Sequence, residues 1–156
     1  MSEEEDFAAA LSKTIFFPRE SFHPEYVVVE FNQLRVYCAF RAVKGAKKIA
    51  VFWHGNGETI HDYFGGEFES AMHEQGMSVF FAEYIGYGAY AKGNTQLLSM
   101  LDYVDAVHRA VVNHVKSESD VVVYGRSMGS VFAIEYAHRF TCSALILEVA
   151  LAQCTM

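Results

Sequence analysis

The sequence predicts an α/β fold: a mostly parallel sheet with helices on both faces, entered through an antiparallel hairpin. Three observations carry this. Nearly unbroken apolar runs at residues 49–53, 77–82, 121–124 and 144–147 read as strands covered on both faces. Longer stretches with apolar residues at helical spacing lie between them. Ahead of them, two segments rich in valine and aromatics, 26–31 and 35–40, are separated by a short polar step. Strands alternating with helices imply right-handed crossovers and a parallel sheet, with chemistry beyond the carboxyl ends of its strands.

Residues 1–25 read as an acidic segment and loop, and residues 26–156 as the core. A short acidic helix is predicted over 2–13, with Phe7, Ala10 and Leu11 on one face, and Pro18 and Pro24 punctuate the loop after it. Phe16-Phe17-Pro18 offers an apolar contact either to the hairpin or to a membrane surface. Asn32-Gln33 supplies the hairpin turn, although it is a weaker signal than Asn-Gly. A helix is predicted over about 60–75, stopped by Gly76 as C-cap. The next, over 95–115, carries Leu97, Leu101, Val104, Val107 or His108, Val111 and Val115 on its apolar face, with Asp102 and Asp105 on the wet side. The last, over 127–140, follows the strand 121–124.

The 156 residues fit one domain, and 52% apolar against 20% charged residues is a globular rather than a disordered balance. A formal net charge of −7, with no basic stripe to neutralise phosphates, excludes a nucleic-acid partner. The three cysteines, Cys38, Cys142 and Cys154, are odd in number and hold no CxxC pair, which fits free thiols in a reducing compartment. The N-terminus is acidic where a targeting signal would be basic, and no apolar run approaches the roughly 18 residues that span a bilayer. A soluble cytoplasmic protein is expected.

The sharpest motif is Gly125-Arg126-Ser127-Met128-Gly129, where a buried strand turns into a helix. Gly-x-Ser-x-Gly in that setting is a nucleophile elbow. The serine stands on a strained turn, so its neighbours two before and two after must be small. The turn lifts the hydroxyl from the sheet edge, and the helix N-terminus points at a developing oxyanion. The second motif, His54-Gly55-Asn56-Gly57, directly follows the strand 49–53. It is either a plain glycine turn or a loop that contributes the Asn56 N–H to an oxyanion hole whose other donor is Met128 N–H. Glu83-Tyr84-Ile85-Gly86-Tyr87-Gly88 suits a loop lining a pocket, and its tyrosines receive no catalytic role. Glu58, His61 and Asp62 match no standard metal-ligand spacing, so neither metal nor cofactor is expected.

These motifs, in this order, resemble the α/β-hydrolase superfamily, nearest its serine-aminopeptidase-like and Bem-type branch. That branch carries strings of the form HGN-G, DYRGYG, GRSLG and LILES. The resemblance spans about residues 26–150. It implies the sheet order 1-2-4-3-5-6 with the second strand antiparallel, and acyl-transfer hydrolysis of an ester, thioester or amide through Ser127. Ile85 replaces the usual arginine and Val149 the usual serine, so the substrate class does not carry over.

In this superfamily the acid and then the histidine follow the nucleophile. After Ser127 the chain holds His138, Glu135 and Glu148 alone among such groups. His138 lies along the same helix, about 16 Å from the serine at 1.5 Å per residue. Glu148 ends a strand beside the site, and the resemblance makes it structural. Upstream, the resemblance makes His54 an organiser of the oxyanion loop rather than the base, and His61 is no better placed. The chain therefore reads as truncated after the sixth strand and close to inert, since losing the base costs on the order of 10⁶ in kcat. The strand 144–147 is left as an open apolar edge that invites self-association. The alternative is a non-catalytic pseudo-hydrolase that binds an acyl compound or a protein partner.

Overall fold

A computed structural model describes residues 2–22, 25–89 and 95–148. The chain begins with helix α1 (Glu3–Ile15), closed by a capping box between Ser2 and Glu5. Strands β1 (Val27–Phe31) and β2 (Leu34–Arg41) form the hairpin. Both turn residues, Asn32 and Gln33, have positive φ (47° and 66°), the backbone of a two-residue type I′ turn, adopted here without glycine. Then follow β3 (Lys48–Trp53), α2 (Glu67–Glu74), β4 (Met77–Ala82), α3 (Leu97–Val112), β5 (Val121–Arg126), α4 (Gly129–Arg139) and β6 (Ala144–Glu148).

The sheet order is β1-β2-β4-β3-β5-β6, with β2 antiparallel to both neighbours and β3, β4, β5 and β6 parallel. The expected order and the antiparallel second strand are both present. Alternation splits β3 between two cores. Ile49, Val51 and Trp53 pack with α3 and α4 on one face. Phe52 joins Ile60, Phe68, Phe81 and Tyr63 on the other, under α2. Helices therefore cover both faces.

Two helix boundaries and one helix face differ from the sequence expectation. The helix read over 60–75 is a single 3₁₀ turn, Ile60–Tyr63, then a break at Gly65-Gly66, then α2. Gly65 has φ +67°, a left-handed conformation that ends one helical segment before the next starts. The helix read from residue 127 begins at Gly129, because Ser127 itself has φ +50° and lies outside it. The face of α1 carrying Phe7 and Leu11 is exposed, and the helix instead buries Ser12, whose Oγ accepts Leu97 N–H at 3.3 Å. Residues 149–156, including Val149 and Cys154, lie outside the described residues.

Candidate active site

The carboxyl ends of β3 and β5 are neighbours: Trp53 pairs with Gly125 in parallel register. The turn at 54–57 and the bend at 125–129 are thereby set side by side. The bend is as tight as its glycines allow. A Cβ on Gly129 would sit 2.0 Å from the Trp53 carbonyl oxygen and 2.7 Å from that of His54, so α4 starts in contact with the end of β3. A Cβ on Gly125 would lie 2.7 Å from Ala133 Cβ and from the Gly129 carbonyl oxygen. Ser127 is the residue between them that takes the left-handed conformation and faces solvent. Its N–H donates to the Glu148 carbonyl at 2.8 Å, tying the bend to β6, and its carbonyl accepts Ser130 N–H at 3.0 Å. Among the described residues nothing is hydrogen-bonded to Ser127 Oγ, and neither Met128 N–H nor Asn56 N–H has a partner.

His54 is fully buried. Its Nε2 lies 2.6 Å from Glu83 Oε1 and its Nδ1 2.8 Å from the Gly55 carbonyl. Both ring nitrogens are thus engaged, neither of them by Ser127. The Tyr84 hydroxyl donates to the His54 carbonyl. Glu83, also buried, accepts Tyr84 N–H at 3.0 Å and Ile60 N–H at 3.1 Å, which satisfies a carboxylate removed from water. Gly55 donates to Glu58 Oε2 at 2.6 Å, and a Cβ there would collide with that oxygen at 2.7 Å. Gly57, at φ +74°, supplies the left-handed step that closes the turn.

Glu58 joins the two loops. Tyr63 OH donates to its Oε2 at 2.6 Å, and Arg126 Nε lies 3.3 Å from its Oε1 and 3.0 Å from Tyr63 OH. Burial, then the Glu58 carboxylate, pushes the Tyr63 phenol well up, so it remains a donor. Arg126 also reaches Glu148 at 2.8 Å, whose other oxygen accepts Tyr124 OH at 3.0 Å. Glu148 is thus committed to Arg126 and Tyr124. A cavity of about 460 Å³ opens beside this cluster, lined by Phe52, Tyr63, Phe68, Glu58 and Arg126. A larger one, about 560 Å³, lies at the opposite end of the strands around Lys48, Gly76 and Met77, away from Ser127.

The sequence motifs led to Ser127, Met128, Asn56 and their glycines, and the fold brings the two segments together. It does not bring them His61, whose Nδ1 lies 2.9 Å from Ser21 Oγ, or His138, exposed near the far end of α4. Asp62 is engaged by Arg19 at 2.9 Å and by Thr59 N–H. Among the described residues no three His, Cys, Asp or Glu side chains form a metal-binding group. The motif reading missed Glu83, Glu58, Arg126 and Tyr87. Glu83, Tyr87 and Arg126 do stand inside the motifs, Tyr87 and Arg126 matching the resembling strings and Glu83 at their acidic position, but nothing in those motifs gave their hydrogen-bond partners.

A six-stranded sheet of this order, with a Gly-x-Ser-x-Gly bend beyond β5, defines the α/β-hydrolase fold. Within it, the chain belongs to the serine aminopeptidase (S33) family, whose model matches residues 44–153. Alpha/beta hydrolase domain-containing protein 17C of Mus musculus is 28% identical over 120 residues, covering 73% of this chain and 36% of the relative. That of Xenopus tropicalis is 26% identical over 116 residues, covering 71% and 36%. The chain therefore spans little more than a third of these relatives. Among solved structures, monoglyceride lipase from Saccharomyces cerevisiae superposes with a TM-score of 0.62 at 18% identity, over 76% of this chain and 40% of that one. A thermostable carboxyl esterase from Bacillus coagulans gives 0.62 at 21%, over 80% and 44%. These likenesses concern the fold. No helix among the described residues is long and apolar enough to cross a membrane.

Proposed function

We propose that this chain is the nucleophile-bearing part of a serine hydrolase that transfers the acyl group of an ester, thioester or amide. The observation that carries the reading is Ser127 at φ +50°, on a bend whose two glycines admit no side chain, beside the 54–57 turn. In this reading Ser127 Oγ attacks the carbonyl carbon, and the Met128 and Asn56 amides receive the negative charge on its oxygen. His54, Gly55 and Gly57 hold the second amide in place. The base that takes the serine proton, and the acid that orients it, come from polypeptide outside residues 1–156. Two facts support that division: no described residue is bonded to Ser127 Oγ, and residues 149–156 contain no His, Asp or Glu. Alone, the chain acylates slowly, through the two amides and binding only. The buried free thiol Cys38 supports a reducing compartment such as the cytoplasm.

The test is the longer protein. Its coding sequence is expected to supply an aspartate and then a histidine after residue 156, and a fluorophosphonate should label it at Ser127 and not in Ser127→Ala. Absence of both residues would defeat the reading. A second reading, a non-catalytic binding protein, is favoured by one observation: Leu145, Ile146 and Leu147 of β6 are 38–40% exposed, an apolar edge open to a second copy. Concentration-dependent dimerisation of an unlabelled protein, measured by sedimentation, would select it.

A further inference from the structure

The N-terminal segment, which the motifs leave without a role, crosses the turn that carries Asn56. Phe16 anchors it in the core, while Phe17 stays 62% exposed. Phe17 N–H is shared between Asn56 Oδ1 at 2.9 Å and Tyr87 OH at 3.1 Å, and Tyr87 OH donates to Asn56 Oδ1 at 2.7 Å. Asn56 Nδ2 donates to the Ile15 carbonyl. The amide side chain of Asn56 is thus gripped at both ends. Two residues on, Arg19 Nη1 donates to the Gly57 carbonyl at 3.0 Å and pairs with Asp62 at 2.9 Å. The segment then joins the 83–88 loop as a short parallel ladder: Gly88 N–H reaches the Arg19 carbonyl at 2.8 Å and Ser21 N–H the Gly88 carbonyl at 3.1 Å.

We infer that residues 15–21 are a positioning strap for the proposed oxyanion turn, acting through the Asn56 side chain and the Tyr87 hydroxyl. The inference rests on the hydrolase reading, because it gives Asn56 two duties. Its backbone N–H faces the reacting oxygen, and its side chain is the handle by which the strap fixes that N–H. A donor must stand in place before charge develops, so a loosened turn loses rate rather than affinity. Tyr87 suits the post: burial raises its phenol to about 12, so it stays protonated and donating across the neutral range.

Two measurements on the intact chain separate this from a passive packing role. In Tyr87→Phe, which keeps the buried ring, and in Asn56→Ala, hydrogen exchange at the Gly55 and Glu58 amides should quicken about tenfold or more while β5 amides hold their rates. With imidazole added as a soluble base, the maximal rate of fluorophosphonate labelling at Ser127 should fall about tenfold in Asn56→Ala and less in Tyr87→Phe. The concentration for half-maximal rate should stay fixed. Unchanged exchange in both variants overturns the strap, whatever the labelling. Faster exchange with parental labelling kinetics also overturns it, leaving a structural contact only. A parent chain that does not label at all counts against the hydrolase reading instead, and exchange alone then decides whether the strap holds the turn.

Discussion

The two halves of the candidate site are held very differently. The 54–58 turn is fixed from every side: His54 by Glu83, Gly55 by Glu58, Asn56 by Phe17 and Tyr87, Gly57 by Arg19. Ser127 is fixed through its backbone alone, and no described group touches its hydroxyl. Apart from Glu58, within the turn itself, these anchors come from two segments distant in sequence, residues 17–19 and the 83–88 loop, so the turn depends on the wider fold. The serine needs only a strand, two glycines and a helix. In the proposed mechanism, stabilisation of the oxyanion is then complete in this chain while activation of the nucleophile is not.

The largest expected effect comes from breaking the first half. Glu83→Ala strips His54 Nε2 and two backbone N–H groups of their buried partner, and should cost about 4 kcal/mol in urea denaturation. Gly129→Ala attacks the second half. Its methyl meets backbone oxygens that cannot swing aside, and about 3 kcal/mol should be lost in the same assay. Ser127→Gly sharpens the contrast by acting the other way. It relieves a left-handed non-glycine residue, so the unfolding free energy should rise by about 1 kcal/mol while labelling disappears. A stability cost at Ser127→Gly would mean that the bend stores no strain.

The smallest effect lies outside both halves. His108 is packed between Phe140, Tyr136, Glu118 and Asp105, with Arg109 nearby. Burial lowers its pKa from the ordinary 6.5, with Glu118 and Asp105 opposing. A depressed folded-state pKa means that the unfolded chain binds the extra proton first. Stability contributed by neutral His108 is thus full above 6.5 and is lost as pH falls from there through the folded value. His114, stacked on Phe40 and also lowered by burial, adds in the same sense. Melting temperature should drop between neutral pH and mild acid, with a shallower drop in His108→Gln.

What the sequence discloses follows the same division. The bend at Ser127 was legible because strand, glycines and helix start are consecutive, as were the sheet strands and the hairpin. The pairings that anchor the turn and its neighbours were not. Glu83 lies 29 positions from His54, Phe17 lies 39 from Asn56 and Arg126 lies 68 from Glu58, separations that no local pattern encodes. The helix read over 60–75 failed locally for a reason visible afterwards: Gly65-Gly66 interrupts it while Phe64 and Phe68 keep the apolar spacing going.

Imidazole rescue tests the central claim most directly. If the amides of Met128 and Asn56 stand ready and only the base is missing, added imidazole should raise the rate of fluorophosphonate labelling in proportion to its concentration, with the adduct on Ser127 and absent from Ser127→Ala. A labelling rate indifferent to imidazole, or an adduct that survives Ser127→Ala, would contradict it.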